Sequence, residues 1–114
     1  MKLINKTKNK TVLEKMKVAD TFYTRLMGLM FVKHMDNYDG VLFKRSNAIH
    51  TFFMKFSLDV IFLNHKYQVV KVIKDMKPNR MTRMYFTAAH VIEVEAGKYV
   101  DAFSEGDALE VINV

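Results

Sequence analysis

The apolar and polar side chains near the start of the chain alternate with a period of two. Between residues 11 and 19, apolar positions such as Met16 and Val18 alternate with lysines. That period predicts a half-buried strand. Asp20, a residue type favoured at helix N-caps, follows directly. Beyond it the apolar residues recur at helical spacing, which predicts one short helix over about residues 21–30.

The middle of the chain is its most apolar part. A block of β-branched and aromatic residues runs over residues 48–56, and a second block over residues 58–63 is interrupted only by Asp59. This composition favours strands. A turn signal at residues 64–66 and a β-branched stretch that ends at Lys74 predict an antiparallel hairpin over residues 58–74. We expect this hairpin to lie at the centre of a sheet.

The last third of the chain adds further short elements. Residues 84–87, 90–95 and 109–114 have the composition of strands, and residues 98–103 have that of a helical turn. The total is seven or eight short strands with one or two short helices. The sequence therefore predicts an α+β fold, in which a curved, mainly antiparallel and barrel-like β-sheet dominates.

The composition is that of a folded protein with a single domain. The chain has 114 residues, of which 50% are hydrophobic and 26% are charged, and we expect one domain over residues 1–114. Residues 1–10 are rich in lysine, which leaves a loosely ordered start open as an alternative. The chain has no cysteine, and this excludes disulfides, cysteine nucleophiles and thiolate-bound metals.

The charge of the chain is unevenly distributed. The net charge is +6, but residues 1–92 hold 17 Lys and Arg against 6 Asp and Glu, while residues 93–114 hold one lysine against 6 acids. The basic part is typical of a surface for nucleic acid or acidic lipid, or of a segment that lies beside the acidic end. Lysines outnumber arginines 14 to 4 and no nucleic-acid motif is present. We therefore expect only weak, non-specific binding to nucleic acid.

No targeting or membrane-spanning segment is visible in the sequence. Lys2 is followed by only two apolar residues before a polar, lysine-rich stretch, whereas a signal peptide needs an apolar run of roughly 7–15 residues. No apolar stretch approaches the roughly 18 residues that span a bilayer. The sequence predicts no membrane span and a cytoplasmic location.

Three segments, taken in order, carry a resemblance to a known family. They read Arg25-Leu26-Met27-Gly28-Leu29-Met30, then His50-Thr51-Phe52-Phe53-Met54 with Leu58-Asp59-Val60-Ile61-Phe62, then Val91-Ile92-Glu93-Val94-Glu95-Ala96-Gly97 with Gly106-Asp107. On these motifs the chain resembles the uncharacterised domain-of-unknown-function family 192. The resemblance implies a small β-rich domain with a strongly curved sheet, and it implies no reaction. Many relatives are exported or membrane-anchored, so the resemblance sets no compartment.

Three charged residues inside apolar blocks are the first candidates for a site. Arg25, Asp59 and Glu93 each lie where burial is expected, and a buried charge is costly unless it is paired. In a functional interpretation, Arg25 binds an anion while Asp59 or Glu93 accepts a proton. In a structural interpretation, Arg25 forms an ion pair with Asp59 first and Glu93 second, and this pair joins helix to sheet. We favour the structural interpretation.

His50 is a candidate general base, metal ligand or core histidine. The four histidines form no metal-binding cluster, and His50 and Met54 on one strand face would stand roughly 13 Å apart. We therefore expect neither a metal site nor a cofactor. Phe53 and Met54 are candidates for a soft, adaptable binding surface, and core packing is the alternative.

Two functions follow from these candidates. The first is a non-catalytic binding or accessory module for a small molecule or protein, with Arg25, His50, Phe53 and Met54 around a cleft. The second is a small acid–base enzyme that uses His50, Asp59 and Glu93, with Arg25 as the anion holder. No activated nucleophile is present in either set. The sequence therefore favours the binding module, and it sets no oligomeric state.

Overall fold

The computed structural model describes residues 1–21, 35 and 37–113, and these residues form eight strands. The strands are β1 (Lys2–Asn5), β2 (Lys10–Leu13), β3 (Met16–Ala19), β4 (Gly40–Lys44), β5 (Leu58–Leu63), β6 (Val69–Met76), β7 (His90–Glu95) and β8 (Leu109–Ile112). One sheet has three strands in the order β2-β1-β8, and the other has five in the order β3-β4-β7-β5-β6. β3 and β4 are parallel, and the remaining pairs are antiparallel.

The predicted α+β fold with one barrel-like sheet is wrong for the part of the chain that the structure describes. These residues are all β, they form two sheets and they do not close into a barrel. The chain leaves the first sheet at a corner between β2 and β3, where the Asp39 carboxylate accepts the N–H groups of Glu14 (2.7 Å) and Lys15 (3.1 Å). Because these N–H groups bind a side chain, they cannot continue a sheet ladder, and the predicted single strand over residues 11–19 is two strands.

The expected helices have different outcomes. Residues 22–30 of the first predicted helix lie outside the described residues, so that prediction has no structural outcome. Residues 98–103 form turns and no helix. Gly97 and Asp101 adopt φ values of +83° and +58°, and these left-handed positions bracket a stretch too short for a helix. Within the described ranges, no helix is long and apolar enough to cross a membrane.

The predicted hairpin over residues 58–74 is confirmed, although its place in the sheet differs from the expectation. β5 pairs antiparallel with β6 from Leu58 opposite Met76 to Leu63 opposite Val69. The central strand of the sheet is β7, and β6 lies at an edge. All six residues of β5 are buried because both faces of this strand are covered. A continuous apolar run is the sequence pattern of such a strand.

The core consists of two clusters on opposite faces of the five-stranded sheet. Leu42, Ile61 and Ile92 meet Leu3 and Leu109 of the three-stranded sheet in the cluster between the two sheets. The opposite face carries a second cluster, built from Val41, Phe43, Leu58, Val60, Phe62 and Val91 and covered partly by Met54 and Ala88. Leu3 and Asn5 of β1 are fully buried, so the lysine-rich start contains a core strand.

Candidate functional site

Two irregular segments, residues 47–54 and 77–86, are joined by hydrogen bonds centred on Thr51. The Thr51 N–H donates to the Arg80 carbonyl at 2.7 Å, and the Thr51 hydroxyl donates to the Lys77 carbonyl at 2.6 Å. The same hydroxyl oxygen accepts the Arg80 N–H at 2.9 Å. Thr51 is fully buried. Its side chain therefore takes over backbone hydrogen bonds that a ladder would otherwise use, so residues 48–56 do not form the expected strand.

The side chain of His50 lies beside the apolar residues that the two segments present. His50 and Met81 stand opposite each other in an isolated antiparallel bridge, which places their side chains on one face. The imidazole stacks on the Phe52 ring with centroids 5.0 Å apart, and its Nδ1 accepts the Phe52 N–H at 3.2 Å. The hydrogen bond and the stacking contact fix the orientation of the ring.

The two segments expose a group of large apolar side chains, which we call the Phe–Met surface. Its members are Phe52 (38% exposed), Phe53 (56%), Met81 (70%), Met84 (53%) and Phe86 (85%). Tyr85, between Met84 and Phe86 in the sequence, is half-buried and packs on the buried Phe62 with ring centroids 4.5 Å apart. An exposed group of this size is typical of an interaction site, because isolated apolar residues rather than clusters are usual on surfaces.

The four predicted ligand-binding residues have different positions. Arg25 lies outside the described residues. His50 is half-buried and Phe53 is exposed, so both are accessible from the Phe–Met surface. Met54 is only 7% exposed and packs in the second core cluster, which is the alternative that the sequence left open. Phe53 adopts a φ of +63°, a conformation that a bulky residue rarely adopts and that tends to occur at functional sites.

Glu93 is buried among apolar side chains in the middle of the five-stranded sheet. It lies opposite Val41 on β4 and Val60 on β5, and both of these residues belong to the second core cluster. Only 4% of its surface is exposed. Burial raises the pKa of Glu93 to about 8, so this carboxyl group is mainly protonated at pH 7.

Asp59 lies on the opposite face of the sheet from Glu93. It is opposite Val94, which belongs to the cluster between the sheets, whereas Glu93 is opposite Val60 of the second cluster. Its carboxylate accepts the Asp75 N–H at 2.8 Å and the Gly97 N–H at 3.4 Å. These bonds hold the β-bulge at Asp75 in β6 and the turn after β7. The structure therefore does not bring Asp59 and Glu93 together with His50 as an acid–base set.

The sequence pattern did not single out the second half of the Phe–Met surface. The composition predicts a strand over residues 84–87 and no candidate site residue at Met81. The sequence does contain a signal for this part of the surface. Met81, Met84 and Phe86 lie in residues 77–89, which have no acidic residue and whose apolar residues follow neither a period of two nor a helical period. Among the described residues, no group of three or more His, Asp or Glu side chains is arranged to hold a metal ion.

The chain is similar to proteins of an uncharacterised family. A model of the DUF192 family, described as an uncharacterized ACR, matches residues 3–111. A UPF0127 protein of Thermococcus sibiricus is 43% identical over 103 residues, which are 83% of this chain and 64% of that protein. A UPF0127 protein of Pyrococcus horikoshii is 39% identical over 100 residues, covering 83% of this chain and 84% of that protein.

Solved structures extend the likeness to the fold. A crystal structure of a protein of unknown function from Novosphingobium aromaticivorans superposes with a TM-score of 0.81, at 18% identity, over 96% of this chain and 82% of that chain. At this identity the likeness shows the fold alone. The chain spans less than two thirds of the length of the Thermococcus sibiricus relative, so the activity of such a longer protein is not carried over.

Proposed function

The chain belongs to the DUF192 family, whose function is uncharacterised, and on that premise we propose that it is a non-catalytic binding module whose binding site is the Phe–Met surface beside His50. The observation that carries the proposal is the exposure of five large apolar side chains on two segments that Thr51 fixes to each other. Exposing these side chains to water is unfavourable in the isolated protein. A partner that covers them would recover that free energy.

The rigid framework under the surface supports binding. Thr51 is buried with its hydroxyl group bonded to both Lys77 and Arg80, and the His50 ring is stacked on Phe52. Side chains that are already ordered lose little conformational entropy when a partner binds. The exposed methionines supply adaptable contact area around this ordered part.

The acid–base alternative has less support from the geometry. Asp59 and Glu93 lie on opposite faces of the sheet, and the His50 Nδ1 accepts a backbone N–H group. Acid–base catalysis needs these groups to converge on one substrate atom. Arg25, the proposed anion holder, and the cytoplasmic location both stay predictions from the sequence.

A macromolecular partner suits this surface better than a small molecule. Small ligands are enclosed by concave sites that bury most of their surface. Here Phe86 and Met81 keep 85% and 70% of their area exposed, so neither side chain is part of a closed pocket. Large exposed apolar residues are the anchors that another macromolecule covers.

The proposal is tested by panning a phage-displayed library of random peptides against the immobilised protein. Peptides enriched on the wild type should lose binding to the double variant Met81→Ser/Phe86→Ser and to Phe53→Asn, in which asparagine tolerates the left-handed backbone. The control is Val100→Ser, which removes an apolar side chain that is 68% exposed on another segment. All variants should unfold at the wild-type urea concentration.

Two results would contradict the proposal. The first is a failure to enrich any peptide, and the second is enrichment of peptides that bind the double variant and the wild type equally. A small molecule whose stabilising effect is lost in Glu93→Gln but kept in Met81→Ser/Phe86→Ser would favour the acid–base alternative instead.

A further inference from the structure

The charges around the Phe–Met surface have a single sign. Residues 45–57 and 77–89 contain five cationic side chains and no Asp or Glu. The five are Arg45, Lys55, Lys77, Arg80 and Arg83, and all of them are exposed. An apolar surface with this border repels cationic partners and attracts anionic ones.

Three of these cations are available to a partner. Arg45 pairs with Asp20 at 3.1 Å and Lys77 pairs with Asp75 at 2.8 Å, so two of the five charges are compensated. Within the described ranges, Lys55, Arg80 and Arg83 form no ion pair. The cationic border therefore keeps a local excess of positive charge directly beside the exposed phenylalanines and methionines.

The backbone of Arg80 and the guanidinium of Arg83 are each held in place on that border. The Arg80 backbone is bonded on both sides to Thr51, which lies under the surface. The Arg83 guanidinium lies over the Tyr85 ring, 5.0 Å from its centroid, and Tyr85 is anchored on the buried Phe62. A stacked guanidinium keeps its edge open for planar recognition of a carboxylate through two parallel hydrogen bonds.

From these observations, and resting on the binding function proposed above, we propose that the partner is an acidic polypeptide segment. It would place apolar side chains against Phe53, Met81 and Phe86 and its carboxylates against Arg80 and Arg83. Phenylalanine, methionine and arginine are enriched in the centres of protein interfaces, whereas Asp and Glu are depleted, and the Phe–Met surface has this composition.

Two other anionic partners fit the surface less well. A lipid bilayer is fluid and has no fixed shape, so it gains nothing from the Thr51 framework or from the left-handed backbone at Phe53. A single-stranded nucleic acid would stack its bases on the three exposed phenylalanine rings, but it would gain no stacking from Met81 and Met84. A shaped partner with apolar side chains and carboxylates uses every feature of the surface.

The experiment takes the peptides enriched by panning and asks what they share. The enriched peptides should be richer in Asp and Glu than the starting library. A synthetic copy of the best peptide should lose at least about tenfold in affinity when its acidic residues become Asn and Gln. The protein variant Arg80→Gln/Arg83→Gln should lose a similar factor, while the control Lys10→Gln/Lys66→Gln, which removes the same charge elsewhere, should not.

The outcomes separate this inference from the proposed function. Enriched peptides that are neutral or basic, and that still depend on Met81 and Phe86, would uphold the binding module and overturn the acidic partner. Binding to phosphatidylglycerol vesicles or to a single-stranded oligonucleotide, without peptide binding, would also overturn it. Peptides that bind through Arg80 and Arg83 but ignore Met81→Ser/Phe86→Ser would show that the Phe–Met surface itself is not the site.

Discussion

Asn5 and Asp107 meet in the interior although 102 positions separate them in the chain. The Asn5 side-chain amide donates to Asp107 Oδ2 at 2.8 Å and to the Ala102 carbonyl at 2.9 Å. The Ser104 N–H donates to the same Asp107 oxygen at 2.9 Å, and the Lys8 ammonium lies 3.4 Å from it. This buried carboxylate therefore attaches β1 to the segment that leads into β8.

Replacing Asp107 with alanine should destabilise the protein by roughly 2–4 kcal/mol. The change leaves one of the two side-chain N–H groups of the buried Asn5, and the backbone N–H of Ser104, without an acceptor, and an unpaired buried donor is costly. Asp107→Asn keeps an acceptor at that place and should cost less. Urea unfolding at neutral pH measures both changes. Equal and small losses for the two variants would contradict the role given to this carboxylate.

The same residue should govern part of the response to acid. Burial acts to raise the pKa of Asp107, but the hydrogen bonds from Asn5 and Ser104 and the nearby Lys8 outweigh it and hold the pKa below its ordinary value. The ionised group stabilises the fold fully above the ordinary value of 3.8, and this stabilisation is lost as the pH falls through the lowered pKa. Asp107→Asn should therefore flatten the acid limb of a stability–pH profile.

Glu93 should have the opposite effect on the pH profile. Between the ordinary pKa of 4.5 and the folded value of about 8, the unfolded chain ionises while the buried carboxyl group stays protonated. Wild-type stability should fall as the pH rises through this window, by up to about 4–5 kcal/mol in total. Glu93→Gln removes the titrating group, so the free energy of unfolding of the variant should rise relative to that of the wild type as the pH increases.

A matched control distinguishes this effect from a general response to alkali. Glu110→Gln makes the same change at an exposed position on β8 and should leave the slope unaltered. Urea unfolding at several pH values between about 4 and 9 measures the difference. Parallel profiles for the wild type and Glu93→Gln would show that this carboxyl group titrates normally.

Thr51→Val should loosen the framework of the Phe–Met surface. Valine has the same shape but leaves the Lys77 carbonyl and the Arg80 N–H without their partner, a loss of roughly 2–3 kcal/mol. Amide hydrogen exchange should accelerate at Arg80 and Met54, whose N–H groups bond to Thr51. Thr11→Val, at an exposed position of β2, is the control. Unchanged exchange in Thr51→Val would contradict the framework.

Phe62→Ala should cost roughly 3–5 kcal/mol, because it opens a cavity in a fully buried strand. Phe86→Ala removes the same side chain from a position that is 85% exposed and should change the unfolding free energy by less than about 0.5 kcal/mol. Comparing the two losses in unfolding free energy shows the difference between a phenylalanine in the core and one on the surface. A large loss for Phe86→Ala would mean that this ring packs within the fold.

The sequence pattern predicted the parts of the fold that burial alone decides. A strand that is covered on both faces has an unbroken apolar run, and β5 has this pattern. The turn signal after it was enough to predict the antiparallel pairing with β6. The corner at Glu14 could not be predicted, because it depends on Asp39, which lies 25 positions away. The irregular path around Thr51 had the same cause, since a hydroxyl group bonded to Lys77 replaces local strand bonds.

The candidate site was predicted in part for a related reason. His50 and Phe53 were identified from a motif that is continuous in the sequence. Met81 and Phe86 complete the surface from another segment, and contacts distant in the sequence, such as the bridge between His50 and Met81, bring the two segments together. Asp59 and Glu93 were both predicted for one acid–base set because both are acids in apolar runs. The register of β5 and β7, which no local pattern encodes, places them on different faces.

The pairing of β1 with β8 has a consequence for synthesis of the chain. β1 is the first of the eight described strands in the chain, yet its partner strand β8, from Leu109 to Ile112, is translated more than a hundred residues later. During that interval β2 is the one described strand available to pair with β1, and a long-range closure of this kind is slow. Lysines lie within β1 and directly after it in the sequence. Charged residues of this kind oppose aggregation of a strand whose edge is still unpaired.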